Sequence, residues 1–216
     1  MGGVTPRGVL PSGGARRTWR FVWLALVAAV PGGAAGTVAR IVPDLAALSR
    51  LANVTLPPSP GYARDVAGGL WSVEEIAAEF GKFTDRPPAI NFNRPAFVRP
   101  DHRWLVAFNT WFMRVQKALK LAYRDEVWDC DDFARCFVTC ANLVALGGGE
   151  TRGSICVGWA TVANLRAFGG QAASGGGHAI VIVGSADGLF VIEPQSGKMA
   201  PLREYPNRDN FEEVNL

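Results

Sequence analysis

The sequence predicts an α+β domain in which helices, one of them bearing a cysteine, pack on a small antiparallel sheet bearing a histidine and a glutamate. Three observations indicate this class. Apolar side chains recur at three- and four-residue steps over residues 101–122, the period of an amphipathic helix. A second helical pattern covers about residues 129–146. After Gly147 the apolar runs become β-branched and are bounded by glycines, which is typical of strands.

The composition indicates one packed domain without a strong charge preference. The chain has 216 residues and is 49% hydrophobic, which is enough for one core plus a tail. Its 22 Lys and Arg residues against 19 Asp and Glu leave a net charge of +3, with a small basic cluster at Arg16, Arg17 and Arg20. This charge does not indicate a nucleic-acid partner, and no motif indicates an organic cofactor. The oligomeric state stays open.

The N-terminal part of the chain has the layout of a secretory signal or a short membrane anchor. Residues 1–20 are rich in Gly, Pro and Arg, and the uncharged run Phe21–Val30 follows. This run is shorter than the roughly 20 residues that span a bilayer. It favours export, or association with a membrane or cell envelope, and a buried helix in a cytosolic protein is the alternative. The breaker cluster Leu56–Gly61 predicts a boundary, with an N-terminal tail over 1–60 and the main domain over 61–216.

Short-range signals define the helices that precede the sheet. Ser72-Val-Glu-Glu75 has the pattern of a capping box and predicts a helix through Phe80. Residues 85–100 contain four prolines and predict an extended loop. The helix over 101–122 carries one apolar stripe, which we interpret as core. Its members are Trp104, Phe108, Trp111, Phe112, Val115 and Leu119.

The second helix and the strands follow in order. The helix begins at the aspartate cluster near Cys130, and three glycines from Gly147 end it. The predicted strands are Ile155–Val162, His178–Gly184 and Leu189–Glu193.

Cys130 is the candidate nucleophile. A cysteine attacks as the thiolate, which a helix N-terminus or a neighbouring imidazolium favours. Cys130 lies where the second helix begins, so the unpaired N–H groups and the positive end of the helix dipole would stabilise its anion. Cys136 and Cys140 have apolar neighbours and are interpreted as buried side chains. The spacing of the four cysteines predicts neither a zinc site nor a disulfide framework.

The aspartates around Cys130 oppose this assignment, because nearby carboxylates disfavour a thiolate. Asp129, Asp131 and Asp132 flank the cysteine directly. One explanation is that Asp131 or Asp132 caps the helix. The other is that these carboxylates bind a hard cation such as Ca²⁺, which would remove the repulsion.

His178 is the candidate general base. The sequence has only two histidines, His102 and His178. His178 follows Gly175-Gly-Gly177 and opens a buried strand, so it would lie at the mouth of that strand beside an open approach. A base can meet a nucleophile at such a position, whereas a structural role is the usual assignment for an isolated histidine.

Two side chains are candidates for orienting the imidazole. A four-residue hairpin loop after Gly184 pairs that residue with Leu189. In this register Gln195 lies directly across from His178, and Glu193 lies diagonally next to His178 on the same face. A carboxylate orients an imidazole more strongly through a charge-assisted hydrogen bond, so Glu193 is preferred and Gln195 is the second choice.

Three short motifs occur in the order found in a known protease family. They are Trp128-Asp-Cys-Asp-Asp-Phe-Ala134, Gly177-His-Ala179 and Ile192-Glu-Pro-Gln195. Together they resemble the papain-like, calcium-activated cysteine protease domain at the C-terminus of the Marasmius oreades agglutinin, a fungal lectin. The resemblance covers roughly residues 100–205. No β-trefoil repeats are visible before it, so sugar binding is not implied.

The resemblance implies a role for each matching residue. Cys130 would be the nucleophile, His178 the base and Glu193 the third member, with Asp131 and Asp132 as calcium ligands. Bacterial transglutaminase-like cysteine proteinases are more distantly similar, through an Asp-Cys-x-Asp cluster followed by Gly-His-Ala. The papain-type glutamine that completes the oxyanion hole would fall at position 124, which is an arginine, so the second oxyanion donor is unassigned.

The predicted function is therefore a papain-like or transglutaminase-like cysteine hydrolase of the peptidase type. It would act on a peptide or protein through an acyl-enzyme formed at Cys130. Amine in place of water would make it an acyl transferase of the transglutaminase type. A catalytically silent binding protein of the same fold is the alternative from a different class.

Overall fold

The computed structural model describes residues 45–60, 70–92, 94–124, 128–147 and 154–216, which all belong to the compact unit Gly32–Leu216. Its helices are α1 (45–51), α2 (Val73–Gly81), α3 (His102–Leu119) and α4 (Cys130–Gly147). Its strands are β1 (Leu70–Ser72), β2 (Ala89–Asn91), β3 (Ala96–Val98), β4 (Val157–Ala163), β5 (Gly177–Ser185), β6 (Gly188–Ile192), β7 (Met199–Pro201) and β8 (Phe211–Asn215). The hydrophobic run 21–30 lies outside the described residues.

The helices predicted after residue 70 are confirmed. Ser72 and Glu75 form the predicted capping box at the start of α2. Asp101 caps α3 by accepting a hydrogen bond from the Arg103 N–H. This helix ends three residues earlier than predicted because Lys120 adopts a left-handed conformation with φ of 55°. Among the described residues, no helix is both long and apolar enough to cross a bilayer.

The main sheet has six strands in the order β2-β8-β4-β5-β6-β7. Its neighbouring strands are antiparallel except for the parallel pair β2 and β8, so the sheet is not purely antiparallel as the sequence predicted. β1 and β3 form a separate antiparallel pair. The extended loop predicted over 85–100 is also wrong in part, because it contains β2 and β3. These strands are three residues long and are held by pairing with distant segments, which no local pattern reveals.

Strand β5 is buried on both faces, which explains its continuous apolar run. Val181 and Val183 face the cluster that contains the buried side of α3 and α4. Ile180 and Ile182 face the opposite cluster, which contains α2 and the C-terminal segment. A strand covered on both faces needs apolar residues at every position.

Residues before the predicted domain boundary contact α3. Leu45 is part of the helix-side core, and Trp111 Nε1 donates to Ser49 Oγ at 2.7 Å. Trp104 Nε1 donates to the Pro58 carbonyl at 2.8 Å. The division into a tail over 1–60 and a domain over 61–216 stays a prediction, and the described part of that tail packs on the domain.

Candidate active site

Cys130 is the first residue of α4, where two aspartates cap the helix. Asp129 Oδ1 accepts from the Asp131 N–H, and Asp132 Oδ2 accepts from the Asp129 N–H, both at 3.2 Å. Asp129 is thus the N-cap, and Asp132 reaches back to the Asp129 N–H as the third helical residue does in a capping box. One of the two explanations for these aspartates was that Asp132 caps the helix. Asp132 takes part in the cap, and Asp129 is its second member. Cys130 itself is half-buried, so its thiol lies at the edge of the core.

His178 lies at the second position of β5 and contacts Cys130. It pairs with Val162 of β4 and is buried, with 9% of its surface exposed. The Cys130 side chain lies beside it, close enough to contribute to the raised pKa of His178. The strand carrying the histidine and the helix carrying the cysteine therefore meet at this point.

Glu193 holds the other side of the imidazole ring. Its Oε2 lies 2.6 Å from His178 Nε2, and its Oε1 accepts from the Gln195 N–H at 3.2 Å. Only 1% of Glu193 is exposed, so this carboxylate is screened from water. Because Nε2 faces Glu193, the ring presents Nδ1 toward Cys130. A carboxylate, an imidazole and a thiol thus form one continuous chain.

The electrostatics of the site favour a protonated imidazole. Burial alone would lower the pKa of His178. The hydrogen bonds and charges of Cys130 and Glu193 outweigh burial and raise this pKa from 6.5 to about 9.

The hairpin register is as predicted, but Gln195 does not lie across from His178. Gly184 pairs with Leu189 as expected. The strand pairing ends at Ile192, after which the chain turns and the Glu193 carbonyl accepts from the Gly197 N–H at 2.8 Å. Gln195 therefore lies in a turn. Its backbone holds the Glu193 carboxylate, and its side-chain oxygen accepts from Gln171 Nε2.

The three aspartates form a compact cluster of oxygen donors. One carboxylate oxygen from each of Asp129, Asp131 and Asp132 lies within 4.8 Å of the others. Burial and the neighbouring carboxylates raise the pKa of Asp131 to about 6, although Asp131 is also paired with Arg135 at 2.7 Å. Burial raises the pKa of Asp132 as well. Closely spaced carboxylates with hard oxygen atoms are a donor set that fits Ca²⁺.

The remaining cysteines have different surroundings. Cys136 and Cys140 lie one turn apart on α4, and their interaction lowers the pKa of Cys136 and, together with burial, raises that of Cys140 well above its usual value. Cys156 is fully buried, and burial raises its pKa to about 12. His102 lies at the start of α3 and stacks on Phe190, with the ring centroids 4.7 Å apart.

Several supporting residues were not predicted from the sequence. Gly169 lies against Glu193: a Cβ at this position would be 2.8 Å from Glu193 Cγ. Tyr205 is also buried nearby, where burial chiefly and the Glu193 charge secondarily raise its pKa to about 12. Gln116 and Asn109 of α3 hydrogen-bond to the turn after Glu193. A glycine pair at 169–170 was the one signal for any of these contacts.

Comparison with known proteins gives a likeness of fold. No family model and no curated protein sequence matches this chain. Among solved structures, the chain is similar to one described as a PSL1a–E64 complex, with a TM-score of 0.50 and 13% identity. It is also similar to the Polyporus squamosus lectin bound to the human-type influenza-binding epitope Neu5Aca2-6Galb1-4GlcNAc, again with a TM-score of 0.50 and 13% identity.

The matched region is partial in both comparisons. Each match covers 68% of this chain, and it covers 51% of the first structure and 50% of the second. This chain thus matches about half the length of these neighbours. At this level of identity the likeness concerns the fold alone.

Proposed function

We propose that this protein is a papain-like cysteine hydrolase of the peptidase type, in which Cys130, His178 and Glu193 act together. The observation that carries the proposal is the chain of contacts from the buried Glu193 carboxylate through His178 to a thiol at the first residue of a helix. A nucleophile, a base and a group that orients the base are the parts needed for acyl transfer.

The proposed reaction begins with transfer of the Cys130 proton to His178. The thiolate attacks the carbonyl carbon of a peptide or isopeptide bond, and His178 returns the proton to the leaving amine as the C–N bond breaks. The product is a thioester on Cys130. Water then attacks this thioester with His178 as base, so that the acid leaves and the thiol is restored.

Glu193 has a defined part in this scheme. Its carboxylate accepts a hydrogen bond from His178 Nε2–H and so fixes the ring with Nδ1 toward the thiol. It also stabilises the imidazolium that forms when Cys130 loses its proton. The N-terminus of α4 supplies a positive dipole end for the developing oxyanion. The second oxyanion donor stays unassigned, and Arg124 is exposed with its backbone paired to Trp128.

We further propose that Asp129, Asp131 and Asp132 hold a calcium ion, with Asp129 added to the two ligands predicted from the sequence. A bound divalent cation supplies positive charge that reduces carboxylate repulsion beside the nucleophile. Calorimetric titration with CaCl₂ tests this, with Asp131→Asn as the variant and the exposed hairpin residue in Asp187→Asn as the matched control. Binding by the wild type and by Asp187→Asn that is lost in Asp131→Asn supports the site. Absence of binding by the wild type refutes it.

A binding protein of the same fold without catalytic activity is the second candidate function. It is favoured by the fold neighbour that is a lectin described with a bound oligosaccharide. In such a protein Cys130 would react no faster than an ordinary half-buried thiol, and substitution of His178 would not change its reactivity.

Thiol labelling separates the two candidates. We expect iodoacetamide at about pH 6 to modify Cys130 first. Cys136 is the internal comparison, since its pKa is lowered by the neighbouring Cys140, and Cys156 is the buried control. Mass spectrometry of each cysteine, in the wild type and in His178→Ala, measures the rates. Labelling of Cys130 no faster than that of Cys136, with no effect of His178→Ala, would exclude the enzyme.

Two further reagents refine the result. E64, the compound described with the first fold neighbour, contains an epoxide, and a thiolate opens an epoxide to form a thioether. An adduct confined to Cys130 would support the nucleophile. Incubation with dimethylated casein and a fluorescent amine then distinguishes hydrolysis from acyl transfer: release of peptides indicates water as acceptor, and incorporation of the amine indicates a transglutaminase-like activity.

A further inference from the structure

We propose that Gln116 and Asn109 of α3 are positioning residues, which hold the turn carrying Glu193 and thereby fix the orientation of the His178 ring. The expected effect of these two residues on the reactivity of Cys130 rests on the proposed function. Their expected effect on the contact between His178 and Glu193 is independent of that function, because it concerns those two side chains alone.

The turn after β6 and the Glu193 carboxylate form one rigid unit. The Glu193 N–H donates to the Lys198 carbonyl at 2.8 Å, and the Gly197 N–H donates back to the Glu193 carbonyl at 2.8 Å. Within the turn, the Gln195 N–H donates to Glu193 Oε1 at 3.2 Å. A displacement of the turn would therefore move the carboxylate away from His178.

Two buried amides of α3 attach this unit to the helix. Gln116 Nε2 donates to the Pro194 carbonyl, and Asn109 Nδ2 donates to the Gly197 carbonyl, both at 2.7 Å. Gln116 is 5% exposed and Asn109 is 8% exposed. Because an α-helix has 3.6 residues per turn, side chains seven positions apart lie on the same face, so the two amides reach both ends of the turn.

The burial of these two amides indicates that their role is to hydrogen-bond to the turn. Both lie on the buried side of α3, whose other buried residues are apolar. A buried amide is costly unless its hydrogen bonds are formed. The amide nitrogens of both residues bond to the turn, whereas Asn109 Oδ1 has no hydrogen-bond partner among the described residues. An apolar side chain at position 116 would leave the Pro194 carbonyl without its donor from α3.

Close packing prevents the turn from sliding along the helix. Gly197 has a φ of 73°, and a Cβ at this position would lie 2.6 Å from Met113 Cγ. On the opposite side, Gly169 is in similarly close contact with Glu193. The turn is thus held between α3 and the segment around residue 169, and Gln116 and Asn109 fix its position.

Two variants test the proposal. In Gln116→Met the side chain keeps its length but loses the donor, and in Asn109→Ala the second donor is lost. The first readout is the ring N–H proton of His178 by NMR, which is deshielded by the short bond to Glu193, with the His102 ring as internal reference. The second readout is the iodoacetamide rate at Cys130. We expect loss or an upfield shift of the His178 resonance in both variants, and a roughly 10-fold lower rate.

The matched control is Val115→Ala, which removes buried volume from the same helix without removing a hydrogen bond to the turn. We expect it to lower the unfolding temperature while leaving the resonance and the rate unchanged. The proposal is overturned if Gln116→Met and Asn109→Ala keep the wild-type resonance, or if Val115→Ala loses it to the same extent. If wild-type Cys130 shows no selective reactivity, the proposed function fails, and the resonance still decides whether these residues position the ring.

Discussion

The substitution Glu193→Gln removes a buried charge and preserves the shape of the side chain. In the wild type, the pKa of His178 is raised from 6.5 to about 9 by Cys130 and Glu193 against the effect of burial. Each pKa unit corresponds to about 1.4 kcal/mol, so the whole increase corresponds to about 3 kcal/mol. Both partners contribute a hydrogen bond and a charge. Because burial acts in the opposite direction, the two partners together supply more than this net amount, and the share of Glu193 is on the order of 1–3 kcal/mol.

The pH dependence follows from the direction of this pKa. A group whose pKa is raised on folding stabilises the folded state fully below its unfolded pKa, here 6.5. The stabilisation declines between pH 6.5 and about 9 and is absent above that range. Glu193→Gln should therefore lower the free energy of unfolding by about 1–3 kcal/mol near pH 6 and by much less near pH 10.

Urea unfolding at these two pH values measures the difference. Glu212→Gln is the matched control, because Glu212 is an exposed carboxylate on β8. We expect the control to change little at either pH. A loss of stability in Glu193→Gln that is the same at pH 6 and pH 10 would refute the assignment of the raised His178 pKa to this carboxylate.

Two further substitutions test the packing around the site. Gly169→Ala should lower stability by about 1–3 kcal/mol and slow the labelling of Cys130, because the new methyl group would displace Glu193. Gly170→Ala is the control for backbone strain alone, because Gly170 has a similarly positive φ but no atom lies within 4 Å of the added Cβ. Ser49→Ala should cost about 1–3 kcal/mol in urea unfolding, because it leaves the Trp111 indole N–H buried without its acceptor at 2.7 Å. An unchanged unfolding midpoint in Ser49→Ala would show that this hydrogen bond does not stabilise the domain.

Local signals predicted the elements that carry the candidate site. The capping box at Ser72, the apolar period of α3 and the glycines around β5 each involve residues within one element or one turn. The register of the β5–β6 hairpin also followed from its loop, since Gly184 faces Leu189. That register brought Glu193 near His178 on the correct face.

Long-range contacts were not predictable in the same way. The pairing of β2 with β8 joins segments more than 100 residues apart, and three-residue strands carry little periodicity. The turn that removes Gln195 from the sheet depends partly on donors from α3, such as Gln116. An amide in an otherwise apolar stripe shows in the sequence only as an interruption, and its partner is fixed by tertiary packing.

The aspartates around Cys130 illustrate how a local conflict is resolved by structure. Carboxylates next to a thiolate are unfavourable when they are free to face it. Here Asp129 and Asp132 accept backbone hydrogen bonds at the start of α4, and Asp131 is paired with Arg135. The same cap fixes the first turn of the helix on which the thiol lies. The acidic residues thus contribute to the geometry of the site before any cation binds, so a role in helix capping and a role in calcium binding are compatible.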